Sequence, residues 1–258
     1  MAAILLDIDG VMQVSGEPIS GAASAVRELR ANGHRIRFVT NTTTRSRTQL
    51  AQELRAHGVE VADDEIQTAA ETAARRLRGK RVLALTMHAL VHDLEGLELV
   101  GEGAQAVLLG GADETPETNL VFSYMNLARA FGELEAGAEL YCLHRNRWWQ
   151  TKHGPMLDAG AFVAGLEYAA QTEAIVLGKP SPAYFEAACD ALDADPDRTW
   201  MIGDDLESDV LGAQRLGMRT VLVRTGKFRP DTVEQSGVQP DGIVSSLAQL
   251  PVWLEEHL

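Results

Sequence analysis

The sequence predicts an α/β protein whose core is a Rossmann-like, doubly wound parallel sheet, with a second α/β domain inserted into it. Apolar, strand-like runs alternate with helical patterns in the first 60 residues and again in the last third of the chain. This alternation is typical of parallel strands joined by right-handed crossovers. In the middle third the order of strand and helix patterns changes, and this part has enough apolar faces for a core of its own. At 258 residues, the chain also exceeds the common size of one domain.

The first third shows the strand and helix alternation most clearly. Its predicted elements are a strand at 3–6, a helix at 22–31, a strand at 35–39 and a helix at about 45–56. Asn32-Gly33, directly after the first helix, is a stop signal of the left-handed type. This third therefore supplies two parallel strands and the helices that connect them.

The middle third predicts a separate set of strands and helices. They are a helix from about 64 to 78, strands at 81–85 and 106–109, a helix near 120–134, a strand at 139–143 and a helix at 161–170. We predict a cap domain at residues 70–174. Residues 1–69 and 175–258 are then the two parts of the core domain.

The last third returns to the alternation of strands and helices seen in the first third. Its predicted elements are a helix at 182–192, a strand at 200–202, a helix at 208–216, a strand at 220–223, a short strand near 243 and a helix at 247–257. Ser181 stands at the N-cap of the first of these helices and Pro182 at its first position, which are favoured places for both residue types.

Composition limits the partners and the location. The chain has 23 basic and 37 acidic residues, a formal charge of −14, which argues against a nucleic-acid partner. No stretch approaches the roughly 20 apolar residues that cross a bilayer, and no signal peptide is recognisable. We therefore expect a cytoplasmic protein with no membrane partner. Cys142 and Cys189 lack metal-ligand spacing, so we expect buried, reduced thiols.

Polar residues follow four of the predicted segments. The sequences are Asp7-Ile8-Asp9-Gly10, Thr40-Asn41, Gly178-Lys179-Pro180 and Gly203-Asp204-Asp205 with Asp209 beyond it. The carboxyl ends of parallel strands open into the crevice where doubly wound sheets bind ligands. Residues two apart in a strand share a side, so both carboxylates of the first group are expected to face one cation. Taken alone, that pair is also compatible with a tight turn.

Together these groups contain carboxylates, a hydroxyl and an ammonium, as one phosphate and one divalent cation require. The motifs DIDGV, VTNTT, GKPS and GDDLESD resemble those of the haloacid-dehalogenase phosphatase superfamily, in its type IIA branch, where a large α/β cap follows the second motif. The stretches RIRFVTNTT, GPMLDAGAFVAGLEYA, VLGKPSPAYF and MIGDDLESDVLGAQRLGM carry a closer resemblance to one group of that branch. The resemblance covers nearly the whole chain.

The resemblance implies a magnesium-dependent phosphatase. Its substrate would be a small phosphorylated metabolite, either a phosphomonoester or a phosphoamide or pyrophosphate, and the reaction would pass through an aspartyl-phosphate. Asp7 would attack the phosphorus, and Asp9 would act as the acid and then as the base. Mg²⁺, which prefers oxygen ligands, would bind Asp7, Asp204 and the main-chain carbonyl of Asp9. Asp209 and Asp205 would hold water molecules on the metal, with helix capping as their alternative role.

Three further residues would contact the transferring phosphoryl group. Thr40 offers a hydroxyl and a main-chain amide, and Asn41 offers an amide beside it. Lys179 would bind both Asp7 and the phosphate as a point charge, although a surface lysine is its alternative. We expect Gly178 to leave the approach to Lys179 unobstructed.

Substrate specificity is expected in the inserted domain. Asn146, Arg147 and Trp148 follow the predicted strand at 139–143 and combine a cation with aromatic surface. The pair Trp148-Trp149 is equally compatible with the cap core or with a homodimer interface through the cap.

Two other functions use some of the same residues. A receiver-type signalling module also accepts phosphate on an aspartate with magnesium, threonine and lysine nearby. Receivers are much shorter, lack a cap and lack the acid two residues after the nucleophile. A non-catalytic protein that binds a phosphoryl ligand is the third possibility. Turnover separates the enzyme from both.

Overall fold

The structure is a computed structural model that describes residues 1–151 and 154–257, with the side chains of residues 149–151 outside the description. The strands are β1 (Ala3–Asp7), β2 (Gln13–Val14), β3 (Glu17–Pro18), β4 (Arg35–Thr40), β5 (Ile66–Thr68), β6 (Arg81–Thr86), β7 (Glu98–Leu99), β8 (Ala106–Gly110), β9 (Glu139–Cys142), β10 (Trp148–Thr151), β11 (Gly154–Leu157), β12 (Ile175–Val176), β13 (Thr199–Gly203), β14 (Arg219–Val223) and β15 (Gly242–Val244). The α-helices are α1 (Ala22–Ala31), α2 (Arg47–Ala56), α3 (Ala69–Arg76), α4 (Pro116–Val121), α5 (Tyr124–Glu135), α6 (Ala159–Ala170), α7 (Pro182–Ala191), α8 (Gly212–Gln214), α9 (Pro230–Ser236) and α10 (Leu250–His257).

A six-stranded sheet in the order β15-β14-β13-β1-β4-β5 forms the first layer. β1 pairs in parallel with β4 and with β13, and β14 pairs in parallel with β13 and β15. Every residue of β1 is buried, as its apolar run AILL predicts for a strand covered on both faces, and Asp7 at its end is buried too. β1 is therefore a central strand with its neighbours on either side.

A second sheet has five strands in the order β12-β9-β8-β6-β7, all paired in parallel. Apolar residues of α5 and α6 cover one face of it, and the rings of Phe122 and Phe162 stack at 4.2 Å between centroids. Both large sheets are thus parallel and flanked by helices. The predicted α/β class with a Rossmann-like core is confirmed.

The chain separates into two compact units. The first contains Met1–Thr40, Arg47–Gln67 and Lys179–Leu258, and the second contains Asn41–Ser46 and Thr68–Gly178. The domain boundaries predicted from the sequence, with a cap at 70–174, stay a prediction. Among the residues that the structure describes, no helix has the length and apolar character needed to cross a membrane.

The predicted helix at 64–78 is wrong in its first half. Ile66–Thr68 is instead the edge strand β5, with all three residues buried, and only Ala69–Arg76 is α-helical. Side-chain contacts explain the difference, since Gln67 accepts a hydrogen bond from Arg37 Nε (3.1 Å) and donates one to the Tyr184 carbonyl (2.6 Å). The Thr68 hydroxyl then accepts from the Glu71 amide and caps α3.

Two other predicted helices are interrupted. The one near 120–134 is divided into α4 and α5, because the Ser123 hydroxyl accepts from the Asn126 amide and begins a new helix. The one at 208–216 consists of a π-helical segment, Leu206–Leu211, followed by α8. The sequence pattern also did not reveal the antiparallel hairpins β2-β3 and β10-β11.

Candidate active site

The order of the first sheet brings distant segments to one edge. β1 lies between β4 and β13, so Asp7, Thr40 and Asp204 stand at the carboxyl ends of three neighbouring parallel strands. Gly203 makes room there, because a Cβ on this residue would lie 2.1 Å from Oδ2 of Asp209. Sheet order thus assembles acids that are about 200 residues apart in sequence.

Lys179 lies at the centre of this group. Its Nζ is 2.8 Å from Oδ1 of Asp7 and 2.7 Å from Oδ1 of Asp209, and its side chain is only 3% exposed. Burial alone would lower the pKa of Lys179, but the carboxylates of Asp209 and Asp7 raise it well above its usual value. The ammonium is therefore charged throughout the physiological pH range. The surface-lysine alternative is excluded by the burial.

Asp7, Asp204 and Asp209 form a buried acidic cluster. One carboxylate oxygen from each lies within 4.8 Å of the others. Set against the Lys179 ammonium, the three ionised carboxylates leave two negative charges, which is the charge that one Mg²⁺ neutralises. Oδ1 of Asp204 is buried and has no hydrogen-bond partner among the described residues. The oxygen ligands, the two uncompensated negative charges and the buried oxygen without a described partner all fit a magnesium site.

The cost of burying these acids is visible in their pKa values. Burial raises the pKa of Asp7 well above its usual value, and Asp209 and Asp204 raise it further against the opposing effect of Lys179. Burial and the neighbouring Asp209 raise the pKa of Asp204 to about 6. A dication bound among the three carboxylates would favour their ionised forms.

Asp9 lies just beyond the end of β1 and is half-buried. Its Oδ1 accepts a hydrogen bond of 3.2 Å from Nε2 of Gln13, so the two predicted carboxylates at 7 and 9 have different partners. The Asp9 carboxylate is not among the three oxygens of the acidic cluster. Gly10 follows with a φ of 94°, and a Cβ there would lie 2.0 Å from Oδ2 of Asp204. A glycine is needed at this position for both reasons.

Thr40 is buried, and its main-chain amide donates to the hydroxyl of Tyr184 at 2.8 Å. The amide that we expected to face a phosphoryl group is therefore engaged by Tyr184 in this structure. Tyr184 was not a sequence-predicted site residue, since a tyrosine on an apolar helix face resembles any core aromatic. Asn41 belongs to the second unit. Its Oδ1 lies close to Gly178 of the same unit, since a Cβ added to Gly178 would be 2.6 Å from this oxygen.

Asp205 acts as the helix cap that was its alternative role. Its Oδ1 accepts from the amides of Glu207 (3.0 Å) and Ser208 (2.9 Å) and begins the π-helical segment. Its Oδ2 accepts from Nζ of Lys227 at 3.0 Å. Burial would raise the pKa of Asp205, but Lys227 and the Ser208 amide lower it.

Asp209 is fully buried, with its Oδ2 accepting from the main-chain amide of Asp205 at 3.1 Å. Its other oxygen is the one that Lys179 contacts. The helix-capping alternative does not describe Asp209, because its carboxylate points into the acidic cluster.

Sequence analysis missed Thr225, Gly226 and Lys227. The amide of Lys227 donates to Oδ2 of Asp204 at 2.6 Å, and the Thr225 hydroxyl donates to the carbonyl of Gly10. Their position was the available signal, since these residues come shortly after the carboxyl end of β14, as Asp204 comes directly after β13.

The candidate residues of the inserted domain lie at the start of the β10-β11 hairpin. Asn146 and Arg147 are exposed, and Trp148 is 55% exposed, which contradicts the cap-core alternative for Trp148. The side chain of Trp149 lies outside the described residues. The Asn146 amide donates to Nδ1 of His144, whose Nε2 lies 3.0 Å from the Thr43 hydroxyl. The homodimer through the cap stays a prediction.

Comparison with known proteins extends the resemblance. Residues 4–100 match the family model described as haloacid dehalogenase-like hydrolase, and residues 176–250 match one described as HAD-hydrolase-like. The chain is 39% identical over 256 residues to the phospholysine phosphohistidine inorganic pyrophosphate phosphatase of Xenopus laevis, covering 95% of this chain and 92% of the relative.

Two solved structures are similar over almost the whole chain. The p-nitrophenyl phosphatase from Archaeoglobus fulgidus has a TM-score of 0.90 and 28% identity, with 98% of both chains covered. The glycerol phosphate phosphatase from Mycobacterium tuberculosis, in complex with magnesium, has a TM-score of 0.85 and 27% identity, with 96% of this chain and 76% of that chain covered.

Proposed function

The chain belongs to the haloacid dehalogenase-like hydrolases, and from this membership we propose that it is a magnesium-dependent phosphatase of small phosphorylated metabolites. The acidic cluster carries the proposal, because Lys179 lies 2.8 Å from Asp7 and 2.7 Å from Asp209, while one oxygen of Asp204 has no hydrogen-bond partner in the described part of the chain. The substrate class is a phosphomonoester, a phosphoamide or pyrophosphate. Relatives named as phosphatases support it.

The first half of the reaction uses Asp7 as the nucleophile. One of its carboxylate oxygens attacks the phosphorus, and the bond from phosphorus to the leaving group breaks as an aspartyl-phosphate forms. Lys179 holds the Asp7 carboxylate at 2.8 Å and supplies a fixed positive charge to the phosphoryl oxygens. Asp9 gives its proton to the departing oxygen or nitrogen, which requires that Asp9 begins the cycle protonated.

The second half restores the enzyme. Asp9, now ionised, takes a proton from a water molecule that attacks the phosphorus of the aspartyl-phosphate. The bond between phosphorus and the Asp7 oxygen breaks, and inorganic phosphate leaves. The Thr40 hydroxyl and the Asn41 amide are proposed to orient the phosphoryl oxygens during both steps.

Asp7, Asp204 and the main-chain carbonyl of Asp9 are proposed to bind Mg²⁺. Asp209 is proposed to hold its water molecules, and Asp205 to share that task in addition to capping the π-helical segment. When bound, the cation neutralises charge on the phosphoryl oxygens and on the acids around it. Residues 70–174 are proposed to serve as the cap, with Asn146, Arg147 and Trp148 as substrate contacts.

Turnover of an aryl phosphate tests the proposal. Wild-type protein with Mg²⁺ should release many equivalents of phosphate per chain from p-nitrophenyl phosphate, and Asp7→Asn should release none above the blank. Asp197→Asn, an isosteric change at an exposed aspartate, is the matched control and should keep the wild-type rate. A single stoichiometric phosphorylation would point to a receiver-like module, and an unchanged rate in Asp7→Asn would remove Asp7 from its role.

A further inference from the structure

The loop Thr225-Gly226-Lys227, which we call the 225–227 loop, contacts both acid-bearing motifs of the first unit. The Thr225 hydroxyl donates to the main-chain carbonyl of Gly10, directly after the Asp7-Ile8-Asp9 segment. The Lys227 amide donates to Oδ2 of Asp204 at 2.6 Å. The loop therefore connects the end of β1 with the end of β13 through hydrogen bonds that the four family motifs do not include.

Gly226 allows this close approach. A Cβ on Gly226 would lie 1.9 Å from Oδ2 of Asp204 and 2.7 Å from the Cα of Gly10. Its φ of 60° is also in the left-handed region that favours glycine. Gly10 must be a glycine for the same reason, since a Cβ added to it would lie 2.0 Å from Oδ2 of Asp204. Two glycines thus enclose one carboxylate oxygen.

These contacts make the two oxygens of Asp204 different. Oδ2 is held by the Lys227 amide and enclosed by Gly10 and Gly226. Oδ1 is buried and has no hydrogen-bond partner among the residues that the structure describes. The carboxylate therefore has one anchored oxygen and one oxygen left for a cation.

Lys227 also anchors the loop through its side chain. Its Nζ lies 3.0 Å from Oδ2 of Asp205, whose other oxygen caps the π-helical segment. Lys227 thus contacts two neighbouring acids, Asp204 through its main-chain amide and Asp205 through its side chain. The Lys227 side chain is 66% exposed, so its ion pair contributes less to holding the loop than the partly buried amide contact.

We propose that the 225–227 loop is a positioning element for the metal site, which presents Oδ1 of Asp204 to Mg²⁺. Thr225 and Lys227 act through Asp204 and Gly10 and do not touch the metal. The inference rests on the proposed function in one respect, namely that the acidic cluster binds a divalent cation. It adds a group of residues that hold a metal ligand in one orientation, a role that is known to set metal affinity in other proteins.

The test measures Mg²⁺ binding to the full-length protein without substrate, by isothermal titration calorimetry. Thr225→Val removes the hydroxyl but keeps the shape, and we expect Mg²⁺ to bind about tenfold more weakly. Thr225→Ser keeps the hydroxyl and should bind Mg²⁺ within about twofold of wild type. Lys227→Met keeps the main-chain amide and should weaken binding by no more than about threefold.

Glycine variants give a second, independent comparison. Gly226→Ala places a methyl group against Asp204 and should weaken Mg²⁺ binding by about a hundredfold. Gly217→Ala is the matched control, because Gly217 also has a positive φ, 79°, but a Cβ added to it would meet no described atom within 4 Å. Binding by Gly217→Ala should equal that of wild type. Thermal unfolding of each variant in EDTA checks that it is folded.

The outcomes separate this inference from the proposed function. If wild type binds Mg²⁺ and Thr225→Val binds it equally well, the positioning role is wrong while the metal site stands. Equal weakening in Thr225→Val and Thr225→Ser also contradicts it, because the serine hydroxyl should restore the contact. Failure of wild type to bind Mg²⁺ contradicts the metal site and the inference together.

Discussion

At the scale of single residues, Lys179 is the side chain on which the acidic cluster most depends. It is the cation that contacts both Asp7 and Asp209, and all three side chains are buried. A buried charge whose partner is removed is strongly destabilising, whereas an exposed ion pair contributes little. Lys179 and the exposed Lys227 therefore form a natural pair for comparison.

We expect Lys179→Met to destabilise the metal-free protein by about 3 kcal/mol, because Asp7 and Asp209 remain buried without their common counter-charge. Phosphate release should fall by at least about a hundredfold. Urea unfolding in EDTA measures the first effect and steady-state kinetics the second. Lys227→Met should cost less than about 1 kcal/mol. Equal losses in the two variants would contradict the special role of the buried lysine.

The raised pKa of Asp204 predicts a pH dependence of stability. The pKa rises from 3.8 to about 6 on folding, so the folded metal-free protein binds more protons than the unfolded chain between those values. Stability from this carboxyl is present below pH 3.8 and is lost as the pH rises through about 6. We expect metal-free wild type to lose on the order of 2 kcal/mol between pH 4 and pH 7 through this group.

Urea unfolding in EDTA at several pH values measures this dependence. Asp204→Asn cannot titrate, so its stability should change less over the same pH range. The comparison cancels the contributions of acids far from Asp204, whereas the pKa of Asp7, which the Asp204 charge raises, is raised less in the variant. An identical pH profile in the variant would show that Asp204 does not carry the shift.

At the scale of secondary-structure elements, one hydroxyl joins three of them. Tyr184 of α7 is fully buried, and its hydroxyl accepts from the Thr40 amide at the end of β4. The same hydroxyl lies 2.8 Å from the Gln67 carbonyl in β5, to which it can donate. A buried polar group left without a partner costs free energy, so this hydroxyl stabilises the edge of the sheet beside the candidate site.

Tyr184→Phe should therefore destabilise the protein by about 1–3 kcal/mol, because the Thr40 amide and the Gln67 carbonyl lose their hydrogen bonds to this hydroxyl. Chemical denaturation measures the change. Tyr168→Phe is the control, since Tyr168 is 89% exposed, and its free energy of unfolding should match that of wild type. If Tyr184→Phe were as stable as wild type, another partner would have to replace the hydroxyl.

At the scale of the whole molecule, the three acids of the buried cluster all belong to one unit. Asp7, Asp204 and Asp209 lie in the first unit, while the second unit has its own parallel sheet and core. A ligand that binds only the folded state stabilises it by about 2.7 kcal/mol at a hundred times its Kd. Mg²⁺ should therefore stabilise the first unit directly.

We expect Mg²⁺ to slow hydrogen exchange of the amides of β1 and β13 while leaving those of β6 and β8 unchanged. Hydrogen-exchange mass spectrometry with and without Mg²⁺ measures the difference. Asp204→Asn, which removes one charged ligand, should abolish most of the added protection. Equal protection of both sheets would mean that the two units unfold as one.

Local patterns in the sequence were sufficient for much of the fold. The helix predicted at 22–31 is α1 with the same bounds, and the strand predicted at 3–6 is β1 to within one residue. Apolar periodicity and a stop signal act over a few residues, so a single sequence carries them. Prediction was wrong at 66–68, where strand pairing and buried contacts of Gln67 outweigh the local helical pattern.

The amino-acid sequence by itself determined the α/β class, the family and the residue types needed at the strand ends. Only the tertiary structure decided which atoms meet: Lys179 with Asp7 and Asp209, and the 225–227 loop with Asp204 and Gly10. The physical reason is that these contacts depend on the strand order β15-β14-β13-β1-β4-β5. That order is set by packing across the whole sheet, which no local pattern of side chains encodes.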